Sequence, residues 1–520
     1  MNLSAKLKHL FYKYRTKIFF IVFKTKTPLP TTPNRTHQKI DQSHHNHYHK
    51  SCCAQALYPH LAVKLNDTAM HNAHLFEKYD VPAPRYTSYP TVPYWTEEHP
   101  DSAVWTDLVQ HAYSLDQRLS LYIHLPFCEQ LCTYCGCNKH ITRNHSVETP
   151  YLETVLKEWN LYRRYMHGKP ILRELHLGGG TPTFFHPDNL RRLLEPILND
   201  VTLDPNAALS FEAHPNGTTT EHLQTLYDLG FRRISVGVQD FDDEILRLIH
   251  RFQTKEQVEQ VTETARAIGY TSVNYDLVYG LPRQNQAHIY RTMAEIHRLR
   301  PDRIALYSYA HVPWLKNGQR AYDESDLPAA AEKRALYETG RVLLEAEGYS
   351  DIGLDHFSLP DDGLFNAAQN GTMHRNFMGY TELYTPMSIG LGASAISDVG
   401  MAFMQNEKTV AGYEAMVNAG QFPLLRGHLL TREDRCLRRH ILNLMCKNYT
   451  EWYWPEQQTP ELSDIIERLK PLEADGLIII SPMSVEVTTV GKAFLRNICM
   501  AFDAHYWHKV PESKVFSKAV

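Results

Sequence analysis

Long hydrophobic runs are missing from this 520-residue chain. The run Ile18-Phe19-Phe20-Ile21-Val22-Phe23 is too short for a secretory signal core and far short of the ~20 residues that span a bilayer. Neither a membrane span nor a secreted, oxidising setting is expected, and the reading is cytoplasmic. An excess of one charge is also missing. The chain has 54 Lys or Arg against 58 Asp or Glu, so no broadly basic surface and no nucleic-acid partner are expected. Solenoid-type repeats are absent too. What is there is 43% hydrophobic residues beside 22% charged ones, the balance of a protein able to bury a large core. The length suits one dominant domain with smaller appendages.

Composition divides the chain. The first fifty residues carry ten Lys or Arg and a single Asp, and they end in His44-His45-Asn46-His47-Tyr48-His49. Residues 1–70 read as a basic, His-rich, solvated leader; a transit peptide, or sequence upstream of a second start at Met70, are the other readings. Residues 71–118 are expected to form an N-terminal substrate-site segment. From Ser120 onward, β-branched and aromatic runs alternate with amphipathic stretches, which predicts βα units and a mostly parallel sheet. Strands are expected at 120–124, 172–177, 208–213, 233–238, 272–277 and 304–309. Crossover helices are expected at 151–165, 219–229, 255–268 and 286–299. The fold class is therefore α/β, a partial (β/α)6 barrel over 119–400. Residues 401–520 are expected to form a small, mainly helical, winged-helix-like domain.

Four of the nine cysteines, Cys128, Cys132, Cys135 and Cys137, fall within ten residues directly after the first strand. The spacing is Cys-x3-Cys-x2-Cys, followed by one further Cys. Three thiolates on one loop can hold three irons of a 4Fe-4S cube and leave the fourth open to a small ligand. The competing reading is a closed zinc site using Cys137, His124 or His140 as the fourth ligand. Such a site normally draws a second pair from a distant segment, whereas in the body of the chain Cys436, Cys446 and Cys499 are isolated. After the second strand, Gly178-Gly179-Gly180-Thr181 would let backbone approach a ligand that any Cβ would repel. Glu212, Gln239 and Asp276 fall at later strand ends, where loops of a βα fold converge.

The cysteine spacing and the glycine triplet resemble the radical S-adenosylmethionine (SAM) enzymes. That resemblance implies Cys128, Cys132 and Cys135 as ligands of one 4Fe-4S cluster and leaves Cys137 outside the trio. Further motifs narrow the likeness: Pro84-Arg85-Tyr86-Thr87-Ser88-Tyr89-Pro90-Thr91, Gly136-Cys137-Asn138-Lys139, Tyr279-Gly280-Leu281-Pro282, His374-Arg375-Asn376-Phe377 and Arg496-Asn497-Ile498-Cys499-Met500. Together they resemble the family of oxygen-independent coproporphyrinogen III oxidases from about residue 75 to the C-terminus. This narrower resemblance implies two bound SAM molecules. Tyr122, Gly179, Glu212 and Ile396 match positions around the first, and Tyr134, Gly180, Thr181, Gln239, Arg251, Asp276 and Ala310 match those around the second. It also implies coproporphyrinogen III as substrate, a reductant such as flavodoxin or ferredoxin, an electron acceptor the sequence does not name, and a monomer.

A substrate with four propionates calls for cations, and Arg85, Lys139, Arg143 and Arg375 are the candidates because planar guanidinium groups pair well with carboxylates. Two rival readings stand beside the oxidase. One is a haem-chaperone relative in the same superfamily, which typically has Phe in place of the fourth cysteine. The other is a non-catalytic metal-binding protein using the wing-like appendage.

Overall fold

The computed structural model describes residues 73–95, 101–314, 316–509 and 516–518. The expected leader lies outside the described residues. Six parallel strands form the centre: β1 (Arg118–Leu125), β2 (Ile171–Gly179), β3 (Thr202–Ala213), β4 (Arg233–Gln239), β5 (Ser272–Tyr279) and β6 (Arg303–Ser308). They pair in sequence order, each to the next, and all are parallel. All six coincide with the runs read from the sequence.

Crossover helices α1 (Glu148–Arg163), α2 (Pro187–Asn199), α3 (Thr220–Asp228), α4 (Lys255–Ile268) and α5 (Gln286–Leu299) connect them. Thr254 caps α4 and Asn285 caps α5, each accepting from a backbone amide of the first turn. Helix α2 lies outside the four stretches named above; with Pro196 inside it, its buried face of Leu190, Leu193, Leu194 and Ile197 packs into the barrel core.

The sheet is longer than the six strands. Beyond β6 it adds, in antiparallel fashion, β8 (His356–Ser358) and then β7 (Ser350–Gly353). On the other side of β1 it adds β9 (Met387–Leu391) in parallel, then β10 (Ile396–Asp398), β11 (Ala402–Asn406) and β12 (Leu424–Leu429). Twelve strands thus run in one open, curved sheet, and its last two lie beyond the residue-400 boundary expected from the sequence.

After Leu429, helices Arg432–Lys447 and Leu462–Ala474 pack with a three-stranded antiparallel sheet of Tyr449–Glu451, Ser484–Val487 and Ile478–Ser481. This is the winged-helix-like arrangement expected. A second apolar core joins it to the N-terminal segment, bringing Leu75, Tyr86 and Tyr89 against Leu437, Ile441 and Phe502. Arg496 donates to the Pro84 carbonyl at 3.1 Å, and Tyr86 donates to Asp503 at 3.0 Å. The N-terminal motif and the C-terminal motif therefore lock together and hold Arg85 at the sheet's carboxyl edge. Among the described residues no helix is long and apolar enough to cross a membrane.

Candidate active site

A cavity of about 1020 Å³ opens where the central strands end. Its wall includes Cys128, Cys132, Cys135, Gly179, Gly180, Thr181, Glu212, Gln239, Arg251, Asp276, Tyr134 and Ala310, and also Arg85 and Lys139. Most of the residues singled out from the sequence meet there. Four do not line it. Tyr122 lies beneath, on β1, with its hydroxyl 3.0 Å from His124 Nδ1. Ile396 packs beside Trp95, Phe403 and Leu430. Arg143 is exposed on the turn after the cysteine loop. Arg375 lines a second, adjoining cavity.

Backbone hydrogen bonds fix the cysteine loop at several points. The Gly180 amide donates to Leu125 O at 2.8 Å and the Thr181 amide to Phe127 O at 3.0 Å, so the glycine turn grips the start of the loop. The Thr133 amide donates to Ile249 O at 3.0 Å, tying the middle to the far side of the cavity. Cys128 Sγ lies 3.3 Å from Thr181 Oγ1, and Arg251 donates toward Cys132 Sγ at 3.7 Å. A Cβ on Gly180 would come within 2.4 Å of the Pro126 carbonyl oxygen, so only glycine permits this approach.

The donor set tests the two metal readings. Thiolates around one zinc at ~2.3 Å stand no more than ~4.6 Å apart. Among the described residues, the one trio of His, Cys, Asp or Glu ligand atoms falling within 4.8 Å of one another is His428, Asp434 and His505, outside this cavity. Cys128, Cys132 and Cys135 all face the open cavity from one loop, a donor set that fits three irons of a cluster with the fourth left open to a ligand.

The strands carry a second pattern that sequence reasoning missed. Alternate residues pointing into the barrel are polar: Glu174 and His176 on β2, Ser210 and Glu212 on β3, Ser235 on β4, Asn274 and Asp276 on β5. His176 Nδ1 lies 2.8 Å from the Ser210 hydroxyl, and Asn274 donates to Ser235 at 2.8 Å. Period-two polarity within the strands was the available signal. Burial alone would raise Glu212, but His176 at 3.6 Å and the Gly179 amide at 3.1 Å offset it and hold the carboxyl below its ordinary range. Burial pushes Asp276 up to about 6, despite hydrogen bonds from Ser235 and Asn274, each at 2.9 Å. One carboxylate is thus kept ionised and its neighbour is poised to take up a proton.

Gln253 is a second missed residue. Its Oε1 accepts from Arg251 Nε at 2.8 Å while its amide donates to Val238 O at 2.6 Å, which aims Arg251 at the cysteine loop. Gln239 holds φ of +68°, a left-handed backbone that turns its side chain to the cavity at some conformational cost.

Residues 122–296 match the Radical SAM superfamily. The oxygen-independent coproporphyrinogen III oxidase of Salmonella typhimurium is 37% identical over 452 residues, covering 86% of this chain and 98% of the relative. Its namesake from Pseudomonas aeruginosa is 35% identical over 460 residues, covering 84% and 97%. The solved structure of coproporphyrinogen III oxidase from Escherichia coli, a radical SAM enzyme, superposes with a TM-score of 0.77 at 36% identity, covering 81% of this chain and 97% of that one. At this identity and coverage, the chain belongs to the oxygen-independent coproporphyrinogen III oxidase family of radical SAM enzymes.

Proposed function

We propose that the chain converts two propionate side chains of coproporphyrinogen III to vinyls, giving protoporphyrinogen IX, two carbon dioxide, two methionine and two 5′-deoxyadenosine. The observation that carries this reading is the single cavity of about 1020 Å³ in which the cysteine loop, the glycine turn and the polar strand ends converge. When bound, a 4Fe-4S cluster and SAM supply a deoxyadenosyl radical able to take hydrogen from an unactivated carbon; carbon dioxide and one electron then leave, the electron passing to an external acceptor.

The chain's own residues hold and orient. Cys128, Cys132 and Cys135 are the ligands for three irons. Gly179 and Glu212, with Tyr122 and Ile396 behind them, suit the amino acid and ribose of a first SAM. Tyr134, Gly180, Thr181, Gln239, Arg251, Asp276 and Ala310 suit a second. Arg85 and Lys139 on the wall are cations for substrate carboxylates. Arg85 is steadied by Asp355 at 3.5 Å and donates to Ser308 O at 3.3 Å.

The test is anaerobic reconstitution with iron, sulfide and a strong reductant, followed by product analysis. Two 5′-deoxyadenosine per protoporphyrinogen IX are expected. Iron-loaded protein that yields no 5′-deoxyadenosine, with or without porphyrinogen, overturns the reading.

A further inference from the structure

Behind the main cavity lies a second of about 300 Å³. The two share Arg85, Tyr307 and Ser308 as a common wall, and no cysteine of the loop reaches the second. Two of its lining residues stand out. Arg375 is only 6% exposed, yet its Nε and Nη1 are buried without a hydrogen-bond partner in the protein. His356 Nδ1 is likewise buried and unpartnered. Both side chains lie against one ring: the Arg375 guanidinium is 4.6 Å from the centroid of Tyr380, and the His356 ring meets Tyr380 edge-on at 5.3 Å. Tyr307 braces His356 from another side at 5.7 Å.

Buried donors left without acceptors are costly, the more so when charged. A guanidinium and an imidazole fixed on one aromatic ring suit a ligand carboxylate. The other charges in the cavity do not supply it. Glu338 accepts from Arg334 and, at 2.9 Å, from Arg341, Glu345 accepts from Arg341, Asp355 engages Arg85, and Asp351, whose Oδ1 is itself buried without a partner, makes no hydrogen bond to Arg375.

We propose that Arg375 and His356 form a carboxylate subsite that takes a propionate arm of the tetrapyrrole which survives the reaction. The inference rests on the function proposed above. The cavity is too small for a macrocycle but suits one arm. The arm being cut must lie in the larger cavity beside the cysteine loop, so the arm held behind Arg85, Tyr307 and Ser308 is a spectator. The two arms that are never cut remain in the product, and a subsite holding one of them contributes equally to the binding of substrate and product.

Anaerobic equilibrium dialysis of the cluster-loaded full chain tests this with two probes, coproporphyrinogen III and protoporphyrinogen IX. Arg375→Gln and His356→Phe are each expected to weaken both by tenfold or more and by similar factors, with iron and sulfide content retained. Arg375→Lys, which keeps the charge but not the planar fork, should recover part of the loss. The wild-type chain gives a reading independent of whether the variants fold: it should bind protoporphyrinogen IX at least tenfold more tightly than its dimethyl ester. Unchanged binding in both variants, equal binding of acid and ester, or weakened binding of coproporphyrinogen III alone overturns the subsite. Wild-type protein that binds neither tetrapyrrole overturns the parent function as well.

Discussion

At the scale of single residues, the contrast between two glycines of the site separates packing from chemistry. Gly180→Ala drives a methyl into the backbone carbonyls of Pro126 and Phe127, at 2.4 and 2.8 Å, and backbone cannot step aside as a side chain can. Overpacking of this kind costs about 1–3 kcal/mol, and here it displaces the loop that carries the cysteines. Iron and sulfide per chain are expected to fall below half the wild-type value. Gly136→Ala, whose added carbon meets nothing within 4 Å, should load iron normally. The cysteines and glycines could be read from the sequence because their meaning lies in local spacing. His176, Gln253 and His356 could not. Each acts on a partner brought to it by folding: His176 on Ser210 and Glu212 of the next strand, Gln253 on the Val238 carbonyl, and His356 beside Arg375.

At the scale of elements, the six central strands are visible in advance because each is a continuous β-branched or aromatic run bounded by turns. Strands β9 to β12, three to six residues each, carry too little pattern to be told from loop. The helix Arg432–Lys447 shows what fastens the appendage. Its N-terminal Asp434 accepts from the Thr431 amide at 2.9 Å, the Thr431 hydroxyl at 2.8 Å, His428 at 3.1 Å on β12 and His505 at 2.7 Å near the C-terminus. Asp434 is 3% exposed, and the hydrogen bonds hold its carboxyl well below the usual range although burial opposes them. Asp434→Ala removes half of the capping box whose N-cap is Thr431 and leaves several donors unpaired, a loss of about 2–4 kcal/mol. Urea denaturation should show that loss, and hydrogen exchange should show faster opening of Ala504–His508 than of the central strands.

At the scale of the whole molecule, one buried acid sets a pH dependence. Glu158 on α1 is fully buried and accepts from Gly392 N at 2.7 Å, Asn406 Nδ2 at 2.7 Å and Tyr413 Oη at 2.7 Å, with no cation among them. Burial pushes it up to about 7, against those hydrogen bonds. The unfolded chain therefore ionises first. Its contribution to stability is largest below pH 4.5, falls as pH rises to 7 and then levels, a change of about 3 kcal/mol. Asp276, Asp351 and Asp503 are raised into the same window, so the Glu158 share is the difference in slope between wild type and Glu158→Gln in urea denaturation. The closure of the chain was the least legible feature: the Pro84–Thr91 motif and the Arg496–Met500 motif could be recognised separately, but nothing local tells that Arg496 reaches the Pro84 carbonyl. The wall of Arg85, Tyr307 and Ser308 between the two cavities acts as a ruler. With a propionate held in the subsite proposed above, a ring system pinned on one side of the wall would present to the other only a substituent one fixed pitch away, and a second cut would then require the disc to be lifted and turned.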